Sequence, residues 1–374
     1  SYKKRCNYVE NPFNPCFGKM PSVFLNRDSL TQRIVTELNR VGSPFQTSLL
    51  YGQRGSGKTT LMTEVSNLIS KDKNWLVINL VLDDDLLVSL INQLQRHLLN
   101  LKIIKNIDLK MNFFGLDMSA SFHQQTESNF QLLFQDALEK LTKKGFHVLI
   151  NIDEVHLTPL LKKFASCYQI MIRNNLNVSL LMAGLPENVS EIQNDDVLTF
   201  LLRANRIVLN PLDIESIKNS YQHIFSKAGY TFSTEALLYM TKQTQGFAYA
   251  FQLLGYHLWE EIIHSSNKTI SISDINNILD TYISELNRNV YFKVYSDMSE
   301  REKEFVQAMV KSKQHKVKSQ VIGNLMKKGP NYIAVYRRKL IDDQIIKPNG
   351  YGYVSFLLPY FDKFVEQEMI LDEF

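Results

Sequence analysis

The residues whose types and spacing most clearly imply chemistry form a glycine-rich run, Gly52-Gln53-Arg54-Gly55-Ser56-Gly57-Lys58-Thr59. Glycines let the backbone turn back on itself and direct several N–H groups inward, as a phosphate-binding loop requires. At the end of such a loop, Lys58 can reach the β- and γ-phosphates of a nucleotide, and the Thr59 hydroxyl is suited to hold Mg²⁺. The run therefore predicts binding of a nucleoside triphosphate with magnesium.

The second chemical feature is the acidic pair Asp153-Glu154, which directly follows the apolar run 147–152. We predict that this run is a strand buried on both faces, so that the pair lies at its carboxyl end. There Asp153 can orient Mg²⁺ through water, and Glu154 can polarise an attacking water molecule. Taken alone, the pair also fits a surface Asp-Glu after a core strand. Beside the glycine loop, it predicts hydrolysis of the triphosphate.

The elements that must position these residues follow from apolar periodicity. The loop lies between a predicted strand (47–51) and a predicted helix (59–70), which is the context that such a motif requires. Further strands are predicted at 75–82, 147–152, 178–183 and 206–209, and further helices at 28–38, 83–101 and 126–144. Alternating strands and helices predict an α/β fold in which a parallel sheet is covered on both faces.

The rest of the chain is organised differently. Alternating apolar residues around Gly115 predict a hairpin insertion at about 107–122, which covers the core or contacts a partner. From Pro211 to about Tyr295 the pattern is helical, with Ser233 and Ser273 as predicted N-caps.

Composition places few limits on function, but the charge is unevenly distributed. The hydrophobic content of 44% and charged content of 21% are ordinary for a globular protein. No apolar stretch approaches the roughly 18 residues that span a bilayer. Three cysteines without metal-ligand spacing fit a reducing cytosol, so we expect a cytoplasmic protein without a membrane partner. Residues 299–350 carry nine Lys and three Arg against three Glu and two Asp, which favours a phosphate-rich partner or a solvated basic face.

This basic segment predicts a winged helix. Helices at 298–312, 317–326 and 330–342 precede two strands, 345–347 and 353–356, joined by an Asn-Gly turn. The third helix would enter a DNA major groove, and the hairpin would lie along the backbone, with Tyr351 and Tyr353 as wing contacts or packing residues. The residues predicted to contact DNA phosphates are Lys327, Lys328, Arg337, Arg338 and Lys339. A winged helix that docks a protein is the alternative.

These motifs together resemble those of an AAA+ ATPase: a glycine loop (Walker A), an Asp-Glu strand (Walker B), a helical lid and a C-terminal winged helix. Within that class the chain is similar to archaeal and bacterial ATPases related to origin-recognition initiators. Phe24-Leu25-Asn26-Arg27-Asp28 resembles the family segment that lies near the adenine. The resemblance implies a P-loop NTPase three-layer αβα core with a parallel sheet, an all-α lid and a winged-helix domain.

The implied domains are an N-terminal arm (1–26), an AAA+ core (27–210), a lid (211–295) and a winged-helix domain (296–374). The predicted nucleotide-binding residues are Gly52, Gln53, Arg54, Gly55, Ser56, Gly57, Lys58, Thr59 and Thr60, and the predicted metal-binding residues are Thr59 and Asp153. The predicted catalytic residues are Glu154, Lys58, Arg203 and Arg206.

The resemblance assigns Arg203 or Arg206 the role of completing a neighbouring subunit's active site, and with it a homo-oligomer. A structural or solvated arginine is the alternative. The chain departs from the family at two sensors. The γ-phosphate sensor falls near Ala183 or Gly184, neither of which is polar. The lid arginine is replaced by Tyr249, which implies slow turnover or tight retention of nucleotide.

Two functional hypotheses follow. The first is a cytoplasmic ATPase that binds ATP and Mg²⁺ and couples ATP or ADP occupancy to double-stranded DNA binding through the winged helix. The second is a signalling NTPase switch of the STAND type, whose C-terminal module docks a protein.

Overall fold

The computed structural model describes residues 10–15, 28–104, 123–263 and 265–372 of the 374-residue chain. The described residues form two compact units. The unit that we name the sheet unit contains those of Arg27–Gly52 and Lys58–Leu209. The helical unit contains those of Ser1–Asn26, Gln53–Gly57 and Asn210–Phe374. The predicted hairpin at 107–122 lies outside the described residues.

The sheet unit alternates strands and helices. Its elements are α1 (Asp28–Leu38), β1 (Thr47–Tyr51), α2 (Lys58–Ile69), β2 (Trp75–Leu80), α3 (Leu86–Asn100), α4 (His123–Lys143), β3 (His147–Ile152), α5 (Pro159–Arg173), β4 (Val178–Gly184), α6 (Pro186–Gln193) and β5 (Asn205–Val208), with 3₁₀ turns at Pro44–Gln46 and Thr199–Arg203. The predicted strands are confirmed to within two residues. Helices α5 and α6 were not predicted from the sequence.

Five strands of the sheet unit form one sheet in the order β2-β3-β4-β1-β5. Every pairing is parallel, and β4 separates β1 from β3. Because parallel strands share an orientation, the loop after β1 and the acidic pair after β3 leave the same edge of the sheet. This edge, at the carboxyl ends of the strands, is where open α/β sheets bind ligands.

Helices cover both faces of this sheet. Neighbouring residues of one strand point to opposite faces, so Leu149 packs in the core formed with α1 and α2, while Ile150 packs in the core formed with α3, α4 and α5. Strand β3 is buried from its second residue to its last. The predicted P-loop NTPase α/β fold, with a parallel sheet between two layers of helices, is confirmed.

The helical unit contains the remaining described elements. They are α7 (Ile214–Lys227), β6 (Thr231–Phe232), α8 (Thr234–Thr244), α9 (Ala248–Ile262), β7 (Thr269–Ile270), α10 (Ile272–Leu286), α11 (Phe292–Asp297), α12 (Glu300–Lys311), β8 (Val317–Lys318), α13 (Ser319–Met326), α14 (Pro330–Asp342), β9 (Ile346–Pro348), β10 (Tyr353–Phe356) and α15 (Phe361–Asp372), with a π-helical turn at Asn287–Tyr291. Among the described helices, none combines the length and apolar character that crossing a bilayer requires.

Two predicted helix caps had different outcomes. Ser233 caps α8 as predicted, accepting a hydrogen bond from the N–H of Ala236. The prediction of Ser273 is wrong, because Ser271 caps α10 and forms a capping box with Asp274. The Asp274 carboxylate accepts a hydrogen bond from the N–H of Ser271, which completes the capping box.

The C-terminal part of the helical unit follows the predicted pattern of three helices and a hairpin. The helices α12, α13 and α14 precede β9 and β10, which pair antiparallel. A short strand that was not predicted, β8, pairs with the other edge of β10. Residues 317–318 were predicted as the start of a helix, which instead begins at Ser319.

One hydrophobic core runs through the helical unit. It extends from Ile217 in α7 to Val365 in α15 without a break between the predicted lid and the C-terminal segment. Phe13 inserts into the same core, and its ring lies so close to Gly255 that a Cβ there would meet it at 2.4 Å. The N-terminal segment is therefore anchored by an aromatic side chain that requires a glycine opposite.

Candidate functional site

The phosphate loop connects β1 to α2, and its two ends lie in the sheet unit. Lys58 is the first residue of α2, and its Nζ donates to the carbonyl oxygen of Gly52 at 2.9 Å. This bond closes the loop across its mouth and holds the ammonium group at the N-terminus of α2. A helix N-terminus with an adjacent cation favours an anion.

The middle of the loop, Gln53–Gly57, belongs to the helical unit. Gly55 and Gly57 have φ values of +80° and +91°, which favour glycine. The N–H of Ser56 donates to the carbonyl oxygen of Gln53 at 3.0 Å, which closes a tight turn. A Cβ at Gly55 would lie 2.7 Å from the ring of Phe247, so this glycine is required by space as well as by backbone angle.

The acidic pair contributes a direct contact to the helix that follows the loop. Thr59 Oγ1 donates to Asp153 Oδ2 at 2.6 Å, so the two predicted metal ligands lie side by side. A hydroxyl and a carboxylate are hard oxygen ligands of the kind that Mg²⁺ prefers. Among the described residues no group of three or more His, Cys, Asp or Glu side chains converges on one point. Thr59 and Asp153 thus offer two oxygen ligands of a type that fits Mg²⁺.

Glu154 has an unusual backbone conformation. Its φ is +52°, and its N–H donates to Asp153 Oδ1 at 2.8 Å. Left-handed backbone at a residue other than glycine costs free energy and occurs often at functional sites. The conformation leaves the Glu154 side chain exposed, while Asp153 is half-buried. The Glu154 carboxylate thus faces solvent, whereas the Asp153 carboxylate faces Thr59.

Asn151 is a residue of this region that the sequence analysis missed. It is buried in β3, and its Nδ2 donates to Ser66 Oγ at 2.8 Å and to Asn79 Oδ1 at 2.9 Å. Asn151 and Asp153 are two residues apart and share one face of the strand. Both side chains contact α2, so two polar contacts fix the strand against the helix. A single amide in an otherwise apolar strand was the available signal.

Known structures share this architecture. The chain is similar to the Walker-type ATPase PABY2304 of Pyrococcus abyssi, with a TM-score of 0.63 and 13% identity over 91% of this chain and 96% of that one. It is also similar to the ORC2 protein of Aeropyrum pernix in its ADPNP–ADP complexes, with a TM-score of 0.58 and 11% identity over 95% and 98% of the two chains. This chain has the fold of these two proteins. The resemblance predicted from the sequence is confirmed at the level of the fold.

No curated protein matches the chain. Residues 288–365 match a family described as "Domain of unknown function (DUF8462)". The matched range begins in the π-helical turn and extends through α11 and most of the C-terminal segment.

The absence of a polar residue at the predicted γ-phosphate sensor position has a steric explanation. A Cβ on Gly184 would lie 2.9 Å from the carbonyl oxygen of Val155, whose own N–H donates to the carbonyl oxygen of Ala183. The segment after the acidic pair is thus drawn against the end of β4, which leaves no room for a polar sensor side chain at residue 184.

The second sensor position is also occupied differently. In the helical unit, the N–H of Tyr249 donates to the carbonyl oxygen of Gly55 at 3.0 Å. Its hydroxyl accepts a hydrogen bond from Asn289 Nδ2 at 2.9 Å. The residue in the arginine slot therefore bonds the phosphate loop through its backbone, while its side chain reaches the π-helical turn.

The two candidate arginines lie near β5. Arg203 ends the 3₁₀ turn before the strand, and Arg206 is the second residue of β5, opposite Leu49 of β1. Both residues are exposed. Segment 24–28, which resembles the adenine-side segment, lies outside the described residues except for Asp28, the first residue of α1.

The predicted DNA-contacting residues fall into two groups. Lys327, Lys328 and Arg338 are exposed, although Lys328 Nζ lies 5.2 Å from the ring centroid of Tyr332 and Arg338 pairs with an exposed Asp342. Lys339 and Arg337 are more enclosed, as the following contacts show.

Lys339 Nζ lies 3.1 Å from the carboxylate of Glu302, whose side chain is only 4% exposed. Arg337 is half-buried, and its Nε has no hydrogen-bond partner among the described residues. The wing carries a fully exposed Tyr351, whereas Tyr353 is half-buried with Lys316 Nζ 5.3 Å from its ring centroid. The exposed cations thus surround α14 and the hairpin, while Lys339 also ties α14 to α12.

Proposed function

We propose that this chain is an AAA+ ATPase that binds ATP with Mg²⁺ at the phosphate loop, hydrolyses it, and couples the nucleotide state to duplex DNA binding. The observation that carries the proposal is the 2.6 Å contact between Thr59 and Asp153. It joins a side chain of the phosphate loop to one from a strand 94 residues later in the chain. Two sequence motifs that were predicted independently thereby meet at one edge of a P-loop sheet.

Each residue has a distinct proposed role. The N–H groups of the turn from Gln53 to Gly57 and the N-terminus of α2 bind phosphate oxygens, and Lys58 neutralises charge on the β- and γ-phosphates. Thr59 and Asp153 hold Mg²⁺, directly or through water. A bound metal would supply positive charge that neutralises the phosphates.

Glu154 is the proposed general base. Its carboxylate accepts a proton from the attacking water as the water oxygen bonds to the γ-phosphorus and the β–γ bridging oxygen leaves. The left-handed backbone of Glu154 separates its side chain from Asp153, so one carboxylate serves the metal and the other the water. Asn151 holds the strand that carries both.

Arg203 or Arg206 is proposed to act on a neighbouring copy of the chain. Exposed guanidinium groups beside the sheet edge support this assignment, because a group that acts in trans must be accessible. A guanidinium stabilises charge on a transferring phosphoryl group. The corresponding state is a homo-oligomer.

The C-terminal segment is proposed to be a winged helix that binds double-stranded DNA. Three helices, a three-stranded antiparallel sheet and exposed cations at α14 and the hairpin support it. Phosphate contacts of this kind give affinity that decreases steeply with salt.

A signalling NTPase switch is the second candidate. It is favoured by the two altered sensors, since Gly184 has no room for a polar side chain and Tyr249 replaces the lid cation. Both changes favour slow turnover and a long-lived bound nucleotide. In that case the C-terminal segment docks a protein.

Two assays on the purified chain separate the candidates. We expect magnesium-dependent release of phosphate from ATP, and binding to duplex DNA at low salt that weakens with a steep slope of log K against log salt. Nucleotide binding without DNA binding at low salt would favour the switch. Absence of both nucleotide and DNA binding would exclude the ATPase proposal.

A further inference from the structure

We propose that Gln344 is a positioning residue of the phosphate loop, so that the end of α14 forms part of the nucleotide site. The inference rests on the proposed function and deepens it, because it names a route by which DNA at α14 and nucleotide at the loop affect one another. All of the contacts that carry it lie within the helical unit, to which Gln53–Gly57 and the C-terminal segment both belong.

Gln53 bonds the turn after α14 through its backbone and its side chain. Its N–H donates to Gln344 Oε1 at 3.1 Å, and its Nε2 donates to the carbonyl oxygen of Asp343. Its own Oε1 accepts from the N–H of Arg54 at 3.2 Å. Gln53 is only 9% exposed, so these bonds are shielded from competing water. Together they fix the orientation of the first two peptide units of the loop.

The turn that provides these partners is itself well fixed. The N–H of Ile345 donates to the carbonyl oxygen of Leu340, and the N–H of Gln344 donates to that of Ile341. This pair of bonds closes α14 in a Schellman motif. Ile345 and Leu340 are both buried. Gln344 is therefore presented to the loop by a rigid helix end, not by a mobile linker.

Phosphate binding requires the N–H groups of the loop to converge, and a loop whose first half is already oriented loses less conformational entropy on binding. A shift of α14 on DNA would change the position of Gln344, and hence the orientation of Gln53. By linkage, nucleotide in the loop would change the affinity of α14 for DNA by the same factor. Gln344 and Gln53 thus connect DNA binding at α14 to nucleotide binding at the phosphate loop.

The test uses the backbone conformation of Gln344, which has a φ of +57°. Glycine is the residue ordinarily found at this position of a helix end, so Gln344→Gly removes the side chain without straining the turn. Lys102 has a φ of +55° after α3, where the N–H groups of Lys102 and Ile103 close the same motif, and Lys102→Gly is the matched control for relief of backbone strain. Both glycine variants are expected to melt at or above the wild-type temperature.

The measurement is the dissociation constant of a non-hydrolysable ATP analogue with Mg²⁺, without and with saturating duplex DNA. We expect Gln344→Gly to weaken analogue binding by about threefold to tenfold, as loss of one orienting hydrogen bond predicts, and to abolish the effect of DNA on that affinity. Lys102→Gly should match the wild type in both. Gln53→Ala should weaken binding similarly, and the double variant should show no further loss.

The outcomes distinguish this inference from the proposed function. If the wild type binds the analogue and DNA affects its affinity, but Gln344→Gly behaves as the wild type or binds more tightly, the inference is overturned and the ATPase proposal stands. Additive effects of Gln344→Gly and Gln53→Ala would also overturn it. A wild-type protein that does not bind the analogue would overturn both.

Discussion

The phosphate loop and the basic segment 299–350 hold their charged groups in different ways. In the loop region, Lys58 bonds the carbonyl of Gly52 and Thr59 bonds Asp153, so the groups proposed to face phosphate and metal have fixed partners. In the basic segment, the Arg338 side chain is 86% exposed and pairs with an exposed aspartate. A small ligand such as a nucleotide requires preorganised geometry. A polyanion requires positive charge within reach, and long exposed side chains can adapt to it.

The largest effect that this comparison predicts is at Glu154. Glu154→Gln removes the proposed base and keeps the shape of the side chain, so we expect single-turnover ATP hydrolysis to slow by about 10²–10⁴-fold. Binding of ATP with Mg²⁺ should change little, since Thr59 and Asp153 remain. His156→Gln changes a neighbouring exposed residue and should leave the rate unaffected. Hydrolysis at the wild-type rate in Glu154→Gln would refute the assignment of the base.

Within the basic segment, Lys339 pairs with a buried carboxylate and Arg338 pairs with an exposed one, so their substitutions should differ in their effect on stability. Lys339→Met leaves the buried Glu302 carboxylate without its cation, and we expect a loss of about 1–3 kcal/mol in the free energy of unfolding. Arg338→Met removes only an exposed pair and should cost less than about 0.5 kcal/mol. Thermal melting of the two variants tests this. Equal melting temperatures would mean that the Glu302 contact contributes no stability.

Substitution of Asn151 tests whether catalysis depends on the hydrogen bonds that fix β3 against its neighbours. Asn151→Leu removes the bonds to Ser66 and Asn79 and should lower kcat by about tenfold, because displacement of a catalytic group by about 1 Å is sufficient for larger losses. KM should change less, since the loop and Lys58 are intact. Asn79→Ala removes a single exposed acceptor and is the control, with an expected change below about twofold. A wild-type kcat in Asn151→Leu would contradict the positioning role.

The smallest predicted effect concerns DNA. Arg338→Ala should reduce the slope of log K against log salt by about 0.9, the value for loss of one phosphate contact, and weaken binding to all duplex sequences alike. Lys227, an exposed lysine at the end of α7, provides the control variant Lys227→Ala, which should keep the wild-type slope. If both variants change the slope equally, the charge that binds DNA is spread over the surface instead of concentrated at α14.

The features that could be predicted from the sequence are those encoded over short distances. The loop from Gly52 to Thr59 is contiguous, and the apolar run before Asp153 is long enough to identify a strand, so the α/β fold followed from them. The cap of α10 shows the limit of local patterns. Ser271 and Ser273 are both plausible N-caps, and the choice depends on the position of Asp274.

The contacts that could not be predicted join residues distant in the chain. Asn151 bonds Ser66 and Asn79, and Gln53 bonds Gln344, which lies 291 residues away. None of these three contacts has a sequence signature, because an amide can bond many partners and only the folded backbone selects one. The close approach of Val155 to Gly184 belongs to the same class. The absence of a polar sensor residue at position 184 is therefore a steric consequence of the fold.

The central claim is that the phosphate loop binds a triphosphate together with Mg²⁺, and isothermal titration of ATP into the purified chain tests it most directly. We predict magnesium-dependent binding to one site per chain, weakened by at least about tenfold in Lys58→Ala, which removes the charge that faces the β- and γ-phosphates. Lys71→Ala, at an exposed position after α2, should bind as the wild type does. Absence of binding with Mg²⁺ present, or equal affinity in Lys58→Ala and the wild type, would contradict the claim.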